Sequence, residues 1–189
     1  MSGQIHDVTL ENLAGSPREV LGAVFWELAD EPEDLDARFH KEEWFSSTLL
    51  EWGACGKLAL DEEGDPIGFA QYAPPSLFPR LERYPAGRVS PDAVYLAYCY
   101  VSPAHRGRAV GSDLVRSVAR ELVDRGYRAL EALGETDSSG GWVLPAAFLA
   151  RNRFAIVRDD PAAPLWRLEL LQAPAMAEEA SAAVTLPPT

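Results

Sequence analysis

Basic residues are scarce in this 189-residue chain: 17 Lys and Arg stand against 29 Asp and Glu, a formal net charge of -12. Such a balance argues against nucleic-acid binding, which depends on neutralising phosphates with Lys and Arg. Cysteine is nearly absent, with Cys55 and Cys99 only. Two thiols exclude a disulfide framework and fit a reducing compartment, and no Cys/His spacing suits a metal ion. No apolar run approaches the ~20 residues of a membrane span. The first seven residues lack the charged and then apolar pattern of a leader. A cytoplasmic protein with no membrane or nucleic-acid partner and no metal is expected. Two nucleotide-binding patterns are missing as well, G-x-G-x-x-G and G-x-x-x-x-G-K-[ST], in which each glycine or lysine has its own geometric task.

What is present is globular: 47% hydrophobic and 24% charged residues, enough to bury one sizeable core. One domain is expected over residues 1–171. From Gln172 the chain turns Ala/Pro/Glu-rich without periodicity, and 172–189 reads as a disordered tail.

Hydrophobic periodicity orders the elements. A short strand is expected at 5–10 and a break at 12–17. A helix follows, capped by Ser16, that carries Val20, Leu21, Val24, Phe25 and Leu28. After an acidic loop at 30–36, a second helix at 41–52 carries Trp44, Phe45, Leu49 and Trp52, and Gly53 stops it. Strands at 57–60 and 67–72 flank the polar turn 61–66 and should pair antiparallel. Residues 74–92 form a proline-rich loop with Leu77, Phe78, Leu81 and Tyr84, too apolar for a linker. A strand at 93–101 leads into a helix at 112–125 ended by Gly126, then a strand at 127–133. That unit should be parallel and right-handed. After a Ser/Gly turn come a helix at 142–153 and strands at 154–157 and 165–171.

The turn between strand 93–101 and its helix is the chemical signal. The first N–H groups of a helix have no partner within it, and the helix dipole puts partial positive charge there, so the turn suits an anion such as a phosphate. Gly107 and Gly111 let backbone approach closely, and His105, Arg106 and Arg108 make a basic island in an acidic chain. The competing reading is an ordinary strand-turn-helix with a solvated Arg pair.

Arg106-Gly-Arg-Ala-Val-Gly-Ser112 resembles the pyrophosphate loop of the GNAT acyltransferases, Gln/Arg-x-x-Gly-x-Gly/Ala, which grips coenzyme A. The element order resembles theirs over residues 5 to 171. The resemblance implies the GNAT fold, an α/β (α+β) architecture with a mixed sheet of about seven strands and flanking helices. Ala109 stands where the family has its first glycine. If that position needs a positive φ, its Cβ costs roughly 1–2 kcal/mol.

By the same resemblance, backbone groups of Cys99, Tyr100 and Val101 would hold the pantetheine arm. The N–H groups of Arg106, Gly107, Arg108, Ala109, Val110, Gly111 and Ser112 would hold the pyrophosphate. The implied reaction moves an acyl group, most simply acetyl from acetyl-CoA, to an amine on a small molecule or peptide. An alkylammonium with pKa about 10.4 is neutral only about once in 2,500 at pH 7, so a base is required. Tyr95 occupies the strand position where histone-type members place a glutamate, and Glu27, beside Trp26 on the expected first helix, is the next candidate. Core packing for Tyr95 and a solvated helix face for Glu27 are the competing readings. Family members often carry a tyrosine acid in Asn-x-x-Ala-x-x-Leu-Tyr-x-x-x-Gly-Phe; here Leu149 takes the tyrosine position, Trp142 the asparagine's and Arg153 the glycine's. Tyr98 or Tyr100 would be substitutes. Trp26, Trp44, Phe45, Phe78 and Tyr84 fall in segments that wall the family's acceptor pocket, and the acidic balance would favour a cationic acceptor. The missing tyrosine also leaves open an acyl-CoA-binding sensor or partner-binding module without turnover, or a structural protein that binds no CoA. Homodimerisation through the last strands, common in the fold, is a further expectation.

Overall fold

The computed structural model describes residues 4–30, 36–135 and 142–170. The expected tail at 172–189 and most of the Ser/Gly turn lie outside the described residues. The strands are β1 (Gln4–Asp7), β2 (Gly56–Leu60), β3 (Pro66–Ala73), β4 (Ala93–Val101), β5 (Ala129–Glu135), β6 (Leu144–Pro145), β7 (Ala155–Arg158) and β8 (Leu165–Glu169). The helices are α1 (Leu10–Leu13), α2 (Arg18–Leu21), α3 (Ala37–Glu51), α4 (Val110–Asp124) and α5 (Ala146–Arg151). Seven strands form one mixed sheet in the order β1-β2-β3-β4-β5-β8-β7, and the two-residue β6 pairs with the end of β5. Only the β4–β5 and β5–β6 ladders are parallel among the described residues. Among the described residues no helix is long and apolar enough to cross a membrane.

The sheet separates two apolar clusters. On one face Trp44 and Phe45 of α3 meet Phe69, Phe78 and Tyr95; on the other Leu114, Val118 and Leu122 of α4 meet Tyr72, Val94 and Leu130. The spacing of those α4 residues gives the apolar stripe expected of a helix lying on a sheet. Gly126, with φ +83, closes α4: its N–H bonds to Val123 O and that of Tyr127 to Leu122 O. Tyr127 therefore belongs to the closing turn, and the strand begins two residues later than the pattern suggested.

Three other expectations are corrected. The expected strand at 5–10 ends at Asp7, because Thr9 caps α1 through a reciprocal pair with Asn12. The helix expected from 17 to Leu28 is one turn, Arg18–Leu21, and Ser16 does not cap it; its buried hydroxyl has no partner among the described residues. Ala23, Val24, Trp26 and Glu27 are all buried, so this segment has no solvent face to give a helix, and tertiary burial overrides propensity. The helix expected at 142–153 is shortened by Pro145, whose extended φ/ψ caps α5. Proline opens a helix readily but pushes the residue before it towards extended backbone, here Leu144 of β6.

Candidate active site

β4 and β5 pair over only three positions, Ala93↔Ala129, Val94↔Leu130 and Tyr95↔Glu131. Beyond that point the two strands no longer pair with each other: β4 runs on to Val101 along β3, and β5 runs on to Glu135, where β6 pairs with its end. They splay, and the gap becomes a cleft. A bulge assists it: Gln71 pairs with Tyr98 but Tyr72 with Leu96, leaving Ala97 as the extra residue on β4. Bulges re-aim strands in this way.

The chain leaves β4 through a 3₁₀ turn, Pro103–His105, in which Ser102 Oγ and His105 Nδ1 lie 2.8 Å apart. Arg106 Nε donates back to Val101 O at 3.2 Å, tying the turn to the end of the strand. Gly107 has φ +76 and Ala109, the N-cap of α4, φ +66. The position of the family's first glycine is thus left-handed, and an alanine occupies it at a cost of about 1 kcal/mol. The N–H of Asp113 is the first to bond within α4, to Ala109 O, so those of Val110, Gly111 and Ser112 face out of the helix end.

A cleft of about 600 Å³ lies over this turn. All the residues expected to hold the cofactor line it except Arg108, which is exposed and away from the lining. Leu144 and Pro145 of β6 and Phe148 and Arg151 of α5 complete the wall, and His105 joins Arg106 and Arg151 as its basic groups. The four β6 and α5 residues escaped sequence reasoning, because their approach depends on β6 adding to the end of β5. Gly111 has a packing duty: a Cβ there would stand 2.9 Å from the Phe148 ring, so glycine lets α4 and α5 close the cleft floor. Cys99 lines the cleft, but burial pushes its thiol up to about 12, unsuited to a nucleophile.

The two expected catalytic residues lie elsewhere. Tyr95 is 1% exposed, edge-on to Trp26 and Phe78 at 5.5 and 5.6 Å between ring centres. Burial raises its hydroxyl well above the ordinary tyrosine range, and it does not line the cleft. Glu27 sits in a turn rather than on a helix, and it is buried rather than solvated. It accepts from Lys41 Nζ and, at 2.9 Å, from Gln71 Nε2; Lys41 also donates to Gln71 Oε1 at 2.9 Å. Burial lowers the pKa of Lys41 and the Glu27 carboxylate works against that shift. This closed pair is a strut between the N-terminal turn, α3 and the bulged strands. Leu149, in the tyrosine position, is fully buried against Gly134. Trp26, Trp44, Phe45 and Phe78 are core residues, and Tyr84, partly buried, packs against them.

The sequence matches the acetyltransferase (GNAT) family over residues 22–140, more than half of the chain. The chain belongs to that family. This GNAT acetyltransferase has the fold of solved relatives. It is similar to an N-acetyltransferase from Staphylococcus aureus Mu50 (17% identity, TM-score 0.60, covering 90% of this chain and 100% of that one). It is also similar to the PaiA N-acetyltransferase from Thermoplasma acidophilum in complex with coenzyme A (13%, 0.59, 89% and 99%). A third is a phosphinothricin acetyltransferase from Sinorhizobium meliloti in complex with AcCoA (18%, 0.60, 90% and 89%). No curated protein matches the chain. The enzyme is an acetyltransferase with acyl-CoA as its co-substrate, and the GNAT fold expected from the sequence is the one observed.

Proposed function

We propose that this enzyme moves the acetyl group of acetyl-CoA to a primary amine, with the cofactor lying in the cleft between splayed β4 and α5. The observation that carries the reading is the position of the cleft, at the end of β4 and over the N-terminus of α4, with Arg106 and Arg151 at its rim. The pyrophosphate is taken by the N–H groups of Val110, Gly111 and Ser112 and by Arg106, where the helix dipole and the guanidinium act together. The pantetheine arm bonds to β4 backbone at Cys99, Tyr100 and Val101, freed because β5 has turned away. An N–H there polarises the thioester carbonyl as charge develops on its oxygen.

Tyr100 is the acid we assign to the departing thiolate. It lines the cleft, and burial, followed by the charge of Glu19, raises its pKa, so it remains protonated. A thiol has pKa about 8.5, so the thiolate is a tolerable leaving group and the demand on the acid is small. The acidic balance supports a cationic acceptor, small or peptidyl. The unpaired cysteines suit a reducing compartment, and we assign the enzyme to the cytoplasm. If it dimerises, β7 is the seam: it is an edge strand whose Ile156 and Val157 are about half exposed.

Calorimetric titration with acetyl-CoA, followed by thiol release against a panel of primary amines, tests the proposal. Saturable binding and amine-dependent release are expected. Failure to bind overturns the cleft assignment, and binding with no release to any amine overturns the acceptor assignment.

A further inference from the structure

Three carboxylates are carried to the region where β4 and β5 separate, and they differ in what holds them. Glu27 is closed by Lys41 and Gln71. Glu131, fully buried, accepts from Arg167 Nη1 at 2.8 Å and from the Ser90 N–H at 2.9 Å. Glu135, half-buried at the end of β5, has no hydrogen bond or ion pair among the described residues. From the last parallel pair, Tyr95↔Glu131, four residues along each strand bring Glu135 level with the Cys99–Tyr100 stretch, with β6 paired to β5 at Glu135↔Pro145 and the cleft between β6 and β4. Strand alternation puts Glu135 on the face of Glu131 and Leu133, the face of Trp26 and Tyr95. Its charge reaches the Tyr84 hydroxyl, which burial and Glu135 push up and Arg80 pulls down.

That face also carries an aromatic wall. Tyr84 lies 5.1 Å from Trp26, Trp26 lies edge-on to Phe25, and Phe25 stacks on Trp142 at 5.2 Å with planes 8° apart. Arg80 covers Phe25 at 4.4 Å, and Trp26 Nε1 donates to Trp142 O at 3.0 Å. Trp142 is 42% exposed, so the wall ends in a partly open aromatic residue.

We propose that Glu135 is the general base of the transfer and that the acceptor is a primary amine bearing an aromatic ring, whose ring rests on the Trp142–Phe25 wall. The inference rests on the cleft being the acetyl-CoA site. The acceptor arrives as an ammonium and gives one proton to the Glu135 carboxylate, directly or through one water. The freed nitrogen lone pair attacks the acyl carbon, the C–N bond forms and the carbonyl electrons move onto oxygen. As the carbonyl re-forms, the C–S bond breaks, CoA leaves with the electron pair, and the second nitrogen-bound proton ends on sulfur. Glu135 then returns its proton to water.

The test compares wild type, Glu135→Gln and Glu135→Asp by acetyl-CoA calorimetry and by thiol release with tryptamine and 2-phenylethylamine. Unchanged acetyl-CoA affinity is expected in both variants. We expect kcat to fall about 100-fold or more in Glu135→Gln, the usual contribution of a general base, and less in Glu135→Asp, which keeps the charge. A wild-type protein that binds acetyl-CoA yet releases thiol with neither amine overturns the inference. So does a Glu135→Gln kcat within about threefold of wild type, or an equal loss in the two variants. A wild-type protein that fails to bind acetyl-CoA removes the cleft reading, and the inference with it.

Discussion

Where β4 leaves β5, the two faces of the sheet are built on different principles. On the α4 side the polar groups are main-chain N–H groups and arginines at the rim of a cleft. On the α3 side they are side chains, a buried Lys41–Glu27–Gln71 set beneath the bulge and Glu135 beyond it. The α4 side is proposed to recognise an anion with backbone, which does not depend on side-chain identity, and Ala109 stands there where glycine is customary. The α3 side depends on which carboxylate has a cation: Glu27, paired with Lys41, is structural, and Glu135, with none among the described residues, is the one proposed for chemistry.

The sharpest way to break this contrast is Lys41→Ala. Stranding the Glu27 carboxylate should cost about 3–5 kcal/mol of folding stability, read by denaturant unfolding, while acetyl-CoA affinity of the folded protein stays within about twofold. Adding Glu27→Gln should recover part of the loss, because no unpaired charge then remains buried. A large change in affinity would mean that the two faces are coupled.

On the cleft side, Gly111→Glu would press a side chain against Phe148 and bring negative charge to the helix N-terminus. Acetyl-CoA affinity should fall at least about 100-fold, roughly 2.7 kcal/mol, by calorimetry; retained affinity would detach the cleft from the cofactor. Arginine substitutions sharpen the picture further. Arg106→Ala and Arg151→Ala should each weaken acetyl-CoA by about tenfold, as loss of a charge-assisted contact does, whereas Arg108→Ala, outside the lining, should change it by less than about threefold. The smallest effect is expected from Ala109→Gly. Relief of the left-handed strain outweighs the added freedom of the unfolded chain, for a gain of about 0.5 kcal/mol in thermal or denaturant unfolding. Acetyl-CoA affinity should be unchanged or slightly tighter. A loss of stability would show that the alanine Cβ contributes packing.

The legibility of the site follows the same division. The bounds of β4 are legible in the sequence, and the start of α4 within two residues, because an alternating apolar strand, a basic glycine-bearing turn and an amphipathic helix are all local signals. Strand position and an expected helix point to Tyr95 and Glu27, and in the fold both are packed or paired by residues far along the chain. Glu27 meets Lys41 and Gln71 only in the fold, and nothing near it in sequence marks that pairing. Pro145 was the one local signal that could have located β6, since it opposes a helix running from Trp142.

The sequence by itself determined most of the order of elements, the glycine-bearing turn before α4 and its basic residues, since each rests on interactions within a few residues or on periodicity along one element. Only the tertiary structure decided that β4 and β5 pair at three positions and then part, that α5 closes the cleft against Gly111, and which carboxylates have a cation. Those outcomes depend on strand register and on contacts between residues tens of positions apart, and no local pattern encodes them.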